Sequence, residues 1–248
     1  MGSGIAQKIA TEGLPVVLVD LDDEKVARGM GIIQSTLQKG VERGIFKPEQ
    51  VERILGNVSG TSNWDELGEV DLVIEAVFED LGVKQQVFQR LGEVTKPSCI
   101  LGTNTSSFYV KDVAAVTPHP ERVVGLHYFY HPAMNRLVEV IGHEGTDRAA
   151  YDAAWAAQEA IGKTPIDSAD APGFVVNRYF VPWLNEAVRL LEEGAADIAT
   201  IDWAAKRAFR IGMGPFELMN VTGVPIAMHA ANTLGEELHA FYAPAAKL

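Results

Sequence analysis

The sequence predicts an α/β fold, a parallel sheet with covering helices, followed by a smaller all-helical part. Three observations predict it. Short apolar runs alternate with segments of helical period through about residue 165. A glycine-containing helix at the start leads directly into an apolar run that ends in an acid, Asp20. Beyond the polar connection Asp167–Pro172 the periodicity is helical to the end. Residues 1–169 are therefore read as the α/β domain and residues 170–248 as the helical one.

The elements follow in order. Gly2-Ser3-Gly4-Ile5-Ala6 opens a helix on small residues, and Leu14–Asp20 follows as a strand. This is the second half of a dinucleotide-binding strand–helix–strand unit of Rossmann type, without its first strand and leading glycines. Val26, Met30, Ile33, Leu37 and Val41 recur at three- and four-residue steps, which predicts a long amphipathic helix. A short helix over Pro48–Leu55 comes next. Val70–Val77 is a nearly unbroken apolar run, as expected of a strand covered on both faces. Leu81–Val94 is helical, and Cys99–Thr103, Val123–Phe129 and Leu137–Ile141 are strands. The alternation implies parallel pairing with right-handed crossovers. In the second part, Phe174–Glu193 and Ile198–Phe209 read as helices, with a glycine-rich turn at Gly212–Pro215.

Composition narrows the function. In 248 residues, 33 acidic side chains face 21 basic ones, a net charge of −12, which excludes a whole-surface nucleic-acid footprint. No apolar run approaches the roughly 18 residues that span a bilayer. The start has neither the basic nor the apolar region of a signal peptide, and Ala6 breaks the myristoylation pattern, so a cytoplasmic protein is expected. The single Cys99 rules out an internal disulfide and a cysteine-based zinc cage. His119, His131 and His143 have no metal-ligand spacing, and no metal is predicted.

Several residues carry chemistry on one reading and structure on another. Asp20 at a strand tip can accept hydrogen bonds from ribose hydroxyls and repel a 2′-phosphate, favouring NAD over NADP; it can equally end a strand in a turn. Glu75, Glu79 and Lys84 surround the end of the Val70–Val77 strand, where ligands of open α/β sheets sit. A solvated helix N-terminus explains Glu79 and Asp80 as well. Thr103-Asn104-Thr105-Ser106-Ser107 ends a strand with five hydrogen-bonding side chains in succession, more than a helix cap needs. His127 and Glu139 lie on strands joined by a loop, and a carboxylate inside the apolar stretch around Glu139 requires a partner. A carboxylate–imidazole pair fixes the tautomer a general base needs, although a structural pair has the same sequence. Asn177, spaced helically from Phe174 and Val181, is a buried amide on the plainer reading.

In this order the segments resemble the L-3-hydroxyacyl-CoA dehydrogenase family over essentially the whole chain. The resemblance rests on Asn-Thr-Ser-Ser at 104–107, Gly-Leu-His at 125–127, Arg-Leu-Val-Glu-Val at 136–140, Asp170–Arg178, and Gly-Met-Gly-Pro-Phe-Glu-Leu at 212–218. It implies NAD-dependent oxidation of L-3-hydroxyacyl-CoA, in fatty-acid β-oxidation or butanoate metabolism. By that resemblance His127 is the general base, Glu139 orients it, and Ser106 and Asn177 hold the substrate oxygen. Gly2, Asp20, Glu79, Lys84 and Asn104 match NAD-binding positions, and Ser35 and Lys39 match contacts to coenzyme A. An acyl-CoA held by both domains implies closure of the second, and the family forms homodimers through its helical domain.

Two departures stand out. After His127 the family often continues Phe-Phe-Asn-Pro, whereas this chain has Tyr128-Phe129-Tyr130-His131-Pro132, which leaves acyl-chain preference open. Members also begin with a strand and Gly-x-Gly-x-Met-Gly, so Met1 reads as the internal methionine of that loop and the chain as shortened at both ends. Weak NAD binding by the chain as given is the corresponding expectation. A non-catalytic fragment, or a structural relative like the lens crystallins of the family, is the competing reading.

Overall fold

Hydrophobic periodicity becomes two separate cores around the first helix of the computed structural model, which describes residues 1–248. Helix α1 (Gly2–Thr11) turns Ile5 toward Val124, Leu126, Tyr128, Val138 and Val140. On another of its faces, Ala6 and Ala10 pack with Ile33, Leu37, Val51, Ile54 and Val58. The first core belongs to a five-stranded sheet of β3 (Leu72–Glu75), β4 (Ile100–Thr103), β5 (Val123–Tyr128), β6 (Leu137–Gly142) and β7 (Thr164–Ala169), in that order. The second belongs to a two-stranded parallel sheet of β1 (Val16–Val19) and β2 (Val58–Thr61). Helices α2 (Asp23–Glu42), α3 (Pro48–Gly56), α4 (Leu81–Val94), α5 (Val110–Ala114) and α6 (Arg148–Ala160) complete this unit, which runs Met1–Asp170.

The α/β architecture with a mostly parallel sheet is as the pattern predicts, with four differences. β5 and β6 run antiparallel, with His127 directly opposite Glu139. Their connection, residues 129–136, is too short for a parallel crossover, which takes a dozen residues or more. The expected Val70–Val77 strand shortens to Leu72–Glu75, because Glu75 Oε1 accepts from the Val77 amide and turns the chain. β2 is unforeseen, being short and carrying Ser59 and Gly60. β7 takes in the first residues of the expected polar connection; it pairs with β6 from Leu137–Thr164 to Gly142–Ala169. Its Pro165 and polar side chains suit the sheet edge it occupies and hide it from an apolar-run criterion.

The second compact unit, Ala171–Leu248, is helical: α7 (Val176–Glu192), α8 (Ile198–Phe209), α9 (Pro215–Thr222) and α10 (Val224–Glu237). α7 begins two residues later than its periodicity suggests. Gly173 (φ 73°) and Phe174 (φ 47°) both occupy the left-handed region and cannot join a right-handed helix. The turn at Gly212–Pro215 rests on α8. A Cβ on Gly214 would lie 2.3 Å from Asp202 Oδ1, whose carboxylate accepts from the amides of Phe216 (2.9 Å) and Glu217 (3.1 Å) at the start of α9. Leu184, Val188, Met219 and Ala227 form one core cluster of this unit, and Val181, Ala231 and Leu234 form a second. No helix is long and apolar enough to cross a membrane.

Candidate active site

The carboxyl ends of β3 and β4 carry a buried charge cluster. Lys84, on the first turn of α4, is fully buried, and its Nζ donates to Glu75 Oε1 at 2.9 Å and pairs with Glu79 Oε2 at 3.2 Å. Thr103 Oγ1, at the end of β4, donates to Glu75 Oε2 at 2.7 Å. One ammonium therefore serves two carboxylates, and hydroxyls and amides satisfy the remaining oxygens. Glu79 Oε1 accepts from Thr105 Oγ1 (2.7 Å) and from the amides of Ser106 (2.8 Å) and Ser107 (3.0 Å). Burial works to raise the Glu79 carboxyl; the Lys84 charge with the Thr105 and Ser106 hydrogen bonds outweighs it and holds Glu79 below its ordinary value. Helix capping falls to Asp80 instead, which accepts from the Val83 amide at 2.9 Å. Of the five-residue polar run, Thr105, Ser106 and Ser107 thus fold around Glu79, while Thr103 ends β4 against Glu75.

Beside this loop stands the β5–β6 pair. Glu139 is fully buried between Val138 and Val140, and its Oε2 lies 2.6 Å from His127 Nδ1. With Nδ1–H donated to the carboxylate, Nε2 carries the ring's lone pair. The Phe129 ring lies against the imidazole, centroids 4.6 Å apart. Asn104 Oδ1 accepts from the Tyr128 amide at 2.8 Å and so ties the β4 loop to the strand of His127. Ser106 Oγ is 3.4 Å from both Glu79 Oε1 and Ser107 Oγ, at the long limit of hydrogen bonding.

The remaining residues singled out in the sequence lie elsewhere. Gly2 opens α1, where a Cβ would sit 3.9 Å from Ala76 Cβ. Met1 is the N-cap of α1, and its carbonyl accepts from the amides of Gly4 (3.0 Å) and Ile5 (3.2 Å), which leaves the amides of Gly2 and Ser3 at the helix end. Asp20 is exposed at the carboxyl end of β1 and accepts from the Leu21 amide at 2.8 Å. Helix-end amides, a residue without a side chain and an exposed acid one strand away fit the pyrophosphate and ribose of a dinucleotide. Ser35 and Lys39 are exposed one turn apart on α2. Asn177 lies half-buried in the first turn of α7, in the helical unit. Asp170, read with that helix, instead accepts from the amides of Val110 (2.7 Å) and Lys111 (2.9 Å) at the start of α5. Periodicity did not single out Thr105 as a Glu79 ligand, or Lys163 and Gln158 behind β5.

Comparison with known proteins decides the family. Residues 1–171 match the NAD-binding domain of 3-hydroxyacyl-CoA dehydrogenase, and residues 173–248 match its C-terminal domain. The chain belongs to the 3-hydroxyacyl-CoA dehydrogenase family. Members of this family similar to it include a 3-hydroxybutyryl-CoA dehydrogenase of Clostridioides difficile, 36% identical over 96% of this chain and 84% of the relative. Among solved structures, FadB2 of M. tuberculosis superposes with a TM-score of 0.97 at 34% identity, covering 100% of this chain and 88% of the other. The (S)-3-hydroxybutyryl-CoA dehydrogenase PaaH1 of Ralstonia eutropha gives 0.92 at 32% identity, covering 99% and 87%.

Proposed function

We propose that this dehydrogenase oxidises L-3-hydroxyacyl-CoA to 3-ketoacyl-CoA, with His127 as general base and Glu139 orienting it. The observation that carries the reading is the 2.6 Å His127–Glu139 contact, in which a buried carboxylate holds the imidazole in one tautomer. NAD, when bound, supplies the hydride acceptor. The proton of the 3-hydroxyl passes to His127 Nε2 as the C3–H bond gives up its electron pair and the carbonyl forms. Glu139 then faces an imidazolium, whose charge it offsets in a water-poor setting. Ser106 and Asn177 donate hydrogen bonds to the substrate oxygen, and the Glu79 cluster shapes the loop that presents Ser106.

The first-turn amides of α1 at Gly2 hold the pyrophosphate, Asp20 accepts from the adenosine ribose, and Asn104, Glu79 and Lys84 build the nicotinamide side. Ser35 and Lys39 meet coenzyme A. The enzyme works as a cytoplasmic homodimer in fatty-acid β-oxidation or butanoate metabolism. The exposed Trp203, Phe209 and Ile226 of the helical unit support association there. Consumption of NADH with acetoacetyl-CoA tests the reading; folded protein that oxidises no NADH with any 3-ketoacyl-CoA refutes it.

A further inference from the structure

Lys163 stands between α6 and β7, only 5% exposed, and has no carboxylate for a partner. An ammonium placed so needs other oxygens to replace its water. Its Nζ donates to the backbone carbonyls of Pro132 and of Asn135, the latter at 2.6 Å, and lies 5.3 Å from the centroid of the Tyr128 ring. Both carbonyls belong to segment 129–136, the connection from the strand of His127 to the strand of Glu139.

The same segment is held at two further places. A Cβ on Gly4, in the first turn of α1, would fall 2.7 Å from Pro132 Cγ and 3.3 Å from His131 Cε1, so the segment packs on the helix where only hydrogen fits. At its origin, the Tyr128 hydroxyl donates to Gln158 Oε1 at 2.5 Å, and the Lys163 amide donates to the Gln158 carbonyl at 3.0 Å. Phe129 of this segment lies against the His127 ring, and Tyr130 and Met134 expose large apolar surfaces. These are the large apolar side chains of a segment that Lys163 holds by two of its carbonyls.

We infer that Lys163 is a positioning residue that sets segment 129–136 beside His127 and thereby tunes which acyl chain Phe129, Tyr130 and Met134 accept. The inference rests on the proposed dehydrogenase reading for its kinetic part alone. Without the ammonium, the carbonyls of Pro132 and Asn135 lose their donor and the segment relaxes, whereas the cofactor residues Asp20 and Glu79 are untouched.

The test compares the wild-type enzyme with Lys163→Met and Lys163→Arg, using acetoacetyl-CoA, 3-ketooctanoyl-CoA and NADH. In Lys163→Met, amides of 133–136 should exchange about 10-fold faster or more, a readout that needs no activity. The KM for acetoacetyl-CoA should rise about 5-fold and the C4/C8 ratio of kcat/KM should shift about 3-fold, with the KM for NADH within about 2-fold. Lys163→Arg, which keeps charge and donors, should restore most of both. If Lys163→Met does not fold, Lys163→Gln carries the same measurements. Unchanged exchange in a folded variant overturns the positioning role, and an unchanged chain-length ratio overturns the selectivity. A wild-type enzyme inactive on every 3-ketoacyl-CoA sinks the dehydrogenase reading and the selectivity with it, while the exchange arm still decides the positioning.

Discussion

His127 and Glu139 face one another across the antiparallel β5–β6 ladder, Nδ1 to Oε2 at 2.6 Å, the carboxylate fully buried. A direct cross-strand pair needs no loop to assemble it, because the backbone ladder sets the distance. Glu139→Gln keeps an acceptor but removes the charge and allows the amide to present its donor instead. A fall in kcat of about 100-fold or more is expected, with little change in KM. Steady-state kinetics with acetoacetyl-CoA check this, and an unaltered kcat reduces Glu139 to a core partner.

Lys84 serves both Glu75 and Glu79, so its loss strands two carboxylates together. Lys84→Met should destabilise the fold by about 3–5 kcal/mol, the penalty for breaking a buried pair from one side. Urea denaturation followed by circular dichroism measures it. A loss within experimental error would mean that the carboxylates find water.

Glu79 is held below its ordinary value in the fold. A depressed carboxyl stabilises the native state fully above its unfolded value, and the contribution disappears as pH falls through the native value. Glu79→Gln should therefore lie below wild type in melting temperature near neutral pH, with the gap closing under acid. A gap that persists at low pH would assign the effect to hydrogen-bond geometry instead of charge.

Lys163 behaves oppositely in range though not in logic. Burial, with the nearby charge of Lys8 on α1, draws its ammonium down to about 8. The Tyr128 ring faces it from β5, and His131 belongs to the segment it holds. Between about 8 and the unfolded value near 10.4 the unfolded chain binds the extra proton, so stability gains with pH in that window. Lys163→Met should lose that gain, seen as a flatter profile of melting temperature from about pH 8 to pH 10. Parallel profiles for the two proteins would contradict it.

Much of this was legible beforehand for physical reasons. Long amphipathic helices such as α2 and α8 announce themselves because burial of one face repeats at the helical period. Glu139 stood out because a carboxylate among valines demands a partner, and Glu75 satisfies the same criterion with Lys84 as its answer. Strand direction leaves no mark in periodicity, so the antiparallel β5–β6 pairing was hidden, although the length of 129–136 held the clue. β2 and β7 escaped because edge strands tolerate serine, glycine and proline. Lys163 escaped because Gly162-Lys163 before a strand looks like an ordinary turn, and only the folded chain shows which carbonyls the lysine meets.

The central claim, His127 as proton acceptor in 3-hydroxyacyl-CoA oxidation, is tested most directly by His127→Gln assayed beside wild type for NADH consumption with acetoacetyl-CoA and, separately, for NADH affinity. The account predicts a loss of turnover of about 10²–10⁴-fold with NADH affinity within about 2-fold. Turnover equal to wild type in the folded variant would contradict it.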